Sequence, residues 1–278
     1  MPGRLYVCAT PIGNLGDASA RLREVLDSVD LIYAEDTRRT GILTRALGIE
    51  TPLRSYFTGN EAGRAAELRA RLEDGADIAI VSDAGMPGIA DPGHTAVRAA
   101  IDAGAEVTVI PGASAVTTAL AGSGLPTERF VFEGFLPRSG AEREERLEEV
   151  AIETRTVVVF SATSRVARDL ADLAAATGAE RQVVVARELT KLYEELWRGT
   201  LGDAARRWQE ETPRGEFTIV IAPAHPHAPD MAQAIEAVKE RMGSGESMAD
   251  AVRNEAGARG IRRRRLYESV LGSRGPES

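Results

Sequence analysis

The chain holds one cysteine among 278 residues, so no disulfide can form within it, and Cys8 sits in an apolar run where a buried structural thiol is expected rather than a nucleophile. Only three histidines are present, and His225 and His227 share a Pro-rich stretch without zinc-type spacing, so no metal is expected. Aromatics make up 5%. No stretch approaches the roughly 18 consecutive apolar residues of a membrane span, and the first residues enter a strand pattern without a basic-then-apolar leader. A cytoplasmic protein with no membrane partner is expected. The G-x-G-x-x-G spacing of a dinucleotide fold and the G-K-[ST] ending of a phosphate loop are both missing from the first turn. Positive charge is in deficit overall, with a net charge of −8, which excludes a surface that is basic all over.

What is present begins with hydrophobic content of 43% in a chain long enough for two ordinary domains and a tail. The first part alternates strand and helix patterns. Strands are expected at 4–9, 30–35, 52–56, 77–81 and 106–110, and helices after Asp17, at 37–47 and at 61–72. Such alternation predicts a mostly parallel sheet covered by helices on both faces. In the helix after Asp17, Ala18, Leu22, Val25, Leu26 and Val29 recur on one face and read as core. An apolar helix at 113–121 precedes a second α/β unit, with strands at 130–133, 156–160, 182–187, 195–199 and 216–222 and an outer helix at 141–152. Pro223, Pro226 and Pro229 mark a linker, beyond which two or three short helices are expected. The expected boundaries are 1–112, 113–224 and 230–278.

Three strand ends run into small, Gly/Pro-rich turns: Cys8-Ala9-Thr10-Pro11-Ile12-Gly13, Ser82-Asp83-Ala84-Gly85-Met86-Pro87 and Pro111-Gly112-Ala113-Ser114. Open α/β sheets bind ligands at such ends, and small residues let the backbone approach a ligand closely. Near the C-terminus, Arg253, Arg259, Arg262, Arg263, Arg264 and Arg265 face one acid, Glu255, so the scarce positive charge is concentrated there. Arg262 to Arg265 precede Leu266 and Tyr267, a pattern that packs one helix face and leaves arginines projecting. The pair of short helices is loosely like a helix-turn-helix.

An ordered set of motifs carries a resemblance. It comprises Thr10-Pro11-Ile12-Gly13-Asn14-Leu15, Ala34-Glu35-Asp36-Thr37-Arg38, Val81-Ser82-Asp83-Ala84-Gly85, Asp91-Pro92-Gly93, Gly124-Leu125-Pro126, Glu133-Gly134-Phe135-Leu136-Pro137 and Ala186-Arg187-Glu188-Leu189-Thr190-Lys191. Together they resemble the tetrapyrrole methylase superfamily, and within it the 16S rRNA cytidine 2′-O-methyltransferases. The resemblance implies two α/β domains with a cofactor cleft between them, a small C-terminal helical region, and a homodimer. It implies S-adenosylmethionine as cofactor, and 16S rRNA of the small ribosomal subunit as partner, with cytidine 1402 of the decoding centre as target. Pro11, Gly13, Ser82, Asp83, Ala84, Gly85, Ala113, Ser114 and Ala186 are then expected to hold the cofactor. Asp36, Glu61 and Lys191 are expected at the chemistry, and Arg38, Asn60, Arg187 and Arg262 to Arg265 at the RNA. Asp36 also suits the N-cap of the helix at Thr37. The chain departs from many relatives in lacking a histidine just upstream of Asn60 and in having Ala162 where an acid is common. The rival readings are a methylase of small tetrapyrroles, against which the basic tail speaks, and a non-catalytic RNA-binding protein that kept the fold.

Overall fold

The computed structural model describes residues 1–224, 231–258 and 263–272. Its first half is an alternating series: β1 (Arg4–Cys8), α1 (Ala20–Ser28), β2 (Leu31–Ala34), α2 (Thr37–Leu47), β3 (Leu53–Ser55), α3 (Glu61–Glu73), β4 (Ile78–Val81), α4 (His94–Asp102) and β5 (Glu106–Ile110). The five strands form one sheet in the order β3-β2-β4-β1-β5, and every pairing is parallel. Period-two alternation divides its residues between two layers. Leu5, Val7, Tyr33, Ile78 and Ile80 pack with Leu68 and Leu72 of α3 and Ala96 and Ala100 of α4. Cys8, Ile32, Ala34, Ala79 and Val81 pack on the other side with Leu22 and Leu26 of α1, so the expected core stripe is core. Burial pushes the Cys8 thiol up to about 12, which leaves it unreactive at neutral pH.

Local chemistry sets the ends of these helices. Ser19 caps α1 by accepting from Leu22 N at 3.0 Å, and Asp36 caps α2 by accepting from Arg38 N at 2.8 Å. At the far end of α2, Gly48 takes the left-handed conformation that closes a helix, with φ +71°.

The second series runs α5 (Ala115–Ser123), β6 (Phe130–Phe135), α6 (Ala141–Ile152), β7 (Thr156–Ser161), α7 (Val166–Thr177), β8 (Gln182–Arg187), β9 (Glu195–Thr200), α8 (Leu201–Glu210) and β10 (Phe217–Ile221). Its sheet, in the order β6-β7-β10-β8-β9, is mixed: β6 and β7 are parallel, and the remaining pairs are antiparallel. Helices α4, α7 and α8 add to the expected elements. In α7 the buried Val166, Leu170 and Leu173 form a helical stripe, as do Leu201, Ala204 and Trp208 in α8. Buried Arg143 of α6 donates to Asp169 (2.9 Å), Asp172 (2.7 Å) and the Pro137 carbonyl (2.7 Å), and Ser161 donates to Asp169 at 2.6 Å. This closed network holds α6 and α7 on the sheet.

Both sheets belong to one compact unit, Met1–Ala222; the chain beyond it forms another. In the latter, α9 (Met231–Gly243), α10 (Met248–Ala258) and α11 (Arg263–Gly272) share a small core of Ala234, Val238, Ala251, Val252, Leu266 and Val270. Arg241 of α9 ties it to α10 by pairing with Glu255 at 2.7 Å, and pairs with Glu246 in the turn between the two helices at 3.1 Å.

Candidate active site

Because the first sheet is wholly parallel, the C-terminal ends of β4, β1 and β5 lie side by side on one edge, and their turns meet there. Thr10 and Gly85 exchange backbone hydrogen bonds of 2.9 and 3.1 Å, and Ala9 N donates to Ile110 O at 3.0 Å. Above this floor a cavity of about 380 Å³ opens toward the second sheet. Ile12, Ala84, Gly85 and Ser114 line it from the first half, and Ala162, Ala186, Phe217 and Thr218 from the second. Phe135 and Phe160, with ring centroids 5.6 Å apart, form part of its lining.

The residues expected at a cofactor are therefore divided. Ala84, Gly85, Ser114 and Ala186 line the large cavity, whereas Pro11, Gly13, Ser82 and Asp83 line a separate hollow of about 170 Å³. Ala113 packs into the apolar cluster of Ile12, Val116 and Leu120. Gly85 is required by conformation more than by space. Its φ is +79°, while an added Cβ would meet only Ile12 at 3.6 Å and the Ala113 carbonyl at 3.9 Å.

The acid lining the large cavity from the first half is Asp91, a residue that composition and spacing did not single out; its signal was an Asp-Pro-Gly turn between a strand and a helix. Burial, then the Glu35 charge, lifts its carboxyl to about 6. Glu35 and Asp83 are themselves raised, chiefly by burial, and the three carboxyls sit close together behind the β4 turn. Asp83 N donates to Glu35 at 3.2 Å, and Asp36 N donates to Asp83 at 3.0 Å.

The other expected site residues have defined partners. Asp36 caps α2 and takes the Arg38 guanidinium in a fork at 3.0 and 2.7 Å, which lowers its carboxyl to about 2. Glu61 accepts from Gly93 N at 3.3 Å and from Thr95 Oγ1 at 2.8 Å, while the buried Tyr56 hydroxyl lies 2.6 Å from Thr95 Oγ1. It thereby clamps the end of the loop that carries Asp91. Asn60 accepts from Phe57 N at 2.8 Å and so closes the turn before α3. Lys191 Nζ reaches Glu188 at 2.7 Å and Glu216 at 2.9 Å, and its stem lies over Gly13, where an added Cβ would come within 2.4 Å of Lys191 Cγ. Arg187 pairs with Glu195 at 3.2 Å, yet its buried Nε and the buried Thr190 hydroxyl have no partner. Glu188 and Thr190 hold left-handed φ values of +50° and +65°, so this turn is strained. Arg263, Arg264 and Arg265 are exposed on α11, Arg264 pairing with Glu268 at 2.8 Å; Arg262 lies outside the described residues.

A profile of the tetrapyrrole (corrin/porphyrin) methylases matches residues 4–205. The chain is 47% identical over 272 residues to "Ribosomal RNA small subunit methyltransferase I" of Synechocystis sp., covering 97% of this chain and 98% of that protein. The chain belongs to the ribosomal RNA small subunit methyltransferase I branch of the tetrapyrrole methylase family. The protein of the same name from Mycobacterium tuberculosis is 46% identical over 98% of this chain and 96% of its own length. Among solved structures, a cobalt precorrin-4 methyltransferase superposes with a TM-score of 0.60 at 16% identity, over 79% of this chain and 94% of that one. A uroporphyrin-III C-methyltransferase of Thermus thermophilus, complexed with S-adenosyl homocysteine, does so with 0.56 at 18%, over 78% and 96%. At such identity these two establish the tetrapyrrole methylase fold, with its two sheets. Among the described residues, no helix of this family member is long and apolar enough to cross a membrane.

Proposed function

We propose that the chain methylates a ribose 2′-hydroxyl of 16S rRNA in the small ribosomal subunit, at cytidine 1402, with S-adenosylmethionine as methyl donor. The observation that carries the reading is the identity to rRNA methyltransferases over nearly the whole chain, including the arginine-bearing helices beyond residue 205. A methylase of small tetrapyrroles has no use for such a tail.

The large cavity fits the cofactor. Its small lining residues expose backbone for hydrogen bonds, the turn at Gly85 presents main chain rather than side chain, and unpartnered polar atoms of Arg187 and Thr190 lie in the turn that also supplies Leu189. Ala84, Gly85, Ser114, Ala186 and Thr218 would hold it there, and when bound it supplies a methyl group already activated on a sulfonium. Positioning of the hydroxyl in line with that methyl then provides much of the rate. Asp91 would accept the hydroxyl proton as the oxygen takes the methyl and the sulfur–methyl bond breaks to leave a neutral thioether; its value near 6 leaves it ionised at neutral pH. Glu61 keeps the Asp91 loop in place, and Arg263 to Arg265 contribute phosphate contacts. The chain acts as a homodimer, to be checked by sedimentation equilibrium, where a lone species near 29.7 kDa would exclude pairing.

The test is to incubate the protein with labelled S-adenosylmethionine and small subunits from a strain lacking the modification, then digest the rRNA and identify nucleosides by mass spectrometry. The expected product is 2′-O-methylcytidine at one position. Cofactor binding without transfer would favour the non-catalytic rival, and a base-methylated nucleoside would refute the ribose target.

A further inference from the structure

The turns after β1 and β4 form a wall with two sides. Ile12, Ala84 and Gly85 of these turns line the large cavity, while Thr10, Pro11, Gly13, Ser82 and Asp83 line a second hollow of about 170 Å³. The other side of that hollow is α2, through Arg39, Thr40, Ile42 and Leu43, and Leu15 forms part of its edge. Two of these apolar side chains are open to water: Leu15 is 50% exposed and Ile42 is 58% exposed. Beside them stand two cations. The Arg39 side chain is 62% exposed and lies 3.4 Å from Asp83, while that of Arg38 is 89% exposed and is held by Asp36. An exposed contact as long as that of Arg39 contributes little, so its guanidinium is free to turn to a stronger anion.

An apolar contact for a base, buried hydroxyl-bearing residues for its polar edge and an exposed guanidinium, which can stack on a base or pair with a phosphate, together suit a splayed-out nucleotide of single-stranded RNA. We infer that this hollow docks a nucleotide flanking the one that is methylated, its base against Leu15 and Ile42 and its phosphate on Arg39. The inference rests on RNA being the substrate. The residues lining the hollow are distinct from those lining the large cavity, so the nucleotide held there is bound and not modified. Charge complementarity favours RNA over an apolar peptide, because Arg38 and Arg39 project to solvent at the start of α2 while the carboxylates they face, Asp36 and Asp83, are each only 24% exposed.

The experiment compares the parent with Ile42→Asp and Arg39→Gln, both at exposed positions that the fold tolerates. Fluorescence anisotropy with a labelled 16S rRNA fragment reads docking without turnover, and steady-state methyl transfer reads the reaction. Docking predicts RNA affinity weakened at least tenfold in Ile42→Asp. In Arg39→Gln it predicts a salt slope reduced by about one. In both variants kcat at saturating RNA and cofactor affinity should stay within twofold of the parent. Unchanged RNA affinity in both variants overturns the docking site, as does a loss of cofactor affinity, which would make the hollow part of the catalytic cavity. A parent that binds the fragment but transfers no methyl group to RNA would refute the proposed activity while leaving the docking result readable.

Discussion

Replacing Asp91 with Asn keeps the shape of the side chain and removes a charge that the fold holds at a cost. Burial, with Glu35 and Asp83 adding negative potential against one favourable hydrogen bond from Ser82, lifts this carboxyl from the ordinary carboxylate value to about 6. The folded state therefore binds more protons than the unfolded chain between about pH 4 and 6, and stability falls as pH rises through that window. About two pH units correspond to about 3 kcal/mol at most. Asp91 keeps some contact with solvent, so a gain of about 2 kcal/mol is expected for Asp91→Asn at pH 7.5, read from urea melts, with the gain vanishing near pH 4. Methyl transfer should move the other way. In the parent it climbs tenfold per pH unit below about 6 and then levels, while the variant loses 10²- to 10⁴-fold with no acid limb, the range expected for removal of a general base. Cofactor affinity, measured by calorimetry, should change little. A variant that transfers methyl at the parental rate would refute the base assignment, and one no more stable than the parent at pH 7.5 would refute the cost of burial.

Arg143→Met leaves Asp169 buried without its counter-ion, and urea unfolding should show a loss of about 3–5 kcal/mol; a loss under about 1 kcal/mol would show that the network is dispensable. Lys191→Met removes the ammonium from Glu188 and Glu216 while keeping much of the stem over Gly13. It should cost the fold only about 1 kcal/mol, because the pair is partly exposed, and turnover at least tenfold; a parental rate would remove Lys191 from the site. Neutralising Arg263 and Arg264 together should flatten the salt dependence of RNA binding by up to about two units of slope, with cofactor affinity unchanged. Identical slopes with lowered thermal stability would mark α11 as purely structural.

Much of the architecture was legible along the chain because its signals are local. Alternating apolar runs and Pro/Gly turns located all five strands of the first sheet, and the stripe Leu22, Val25 and Leu26 located the inner face of α1. Asp36 before Thr37 read correctly as a cap that is available to α2, since a capping bond spans only two residues. Helix α4 went unread because its buried face is Ala96 and Ala100, too small to stand out from their neighbours. The parallel and antiparallel mixture of the second sheet also has no local signature, since pairing direction depends on which strands meet.

The candidate site shows the same division. Motif and turn position brought Gly85, Ser114 and Ala186 to one cavity, and these are contributions a strand end makes by itself. The roles of the acids depended on contacts between residues far apart in the chain. Glu61 turned out to hold the start of α4, more than 30 residues on, and Asp91 acquired its value near 6 first from burial and then from carboxyls that the sheet order, not the sequence order, places beside it. Sequence alone determined the strands and most of the helices, the family and the kinds of residue at the strand ends. Only the tertiary structure decided which cavity each residue of the β1 and β4 turns serves, because the partners across each cavity come from other parts of the chain.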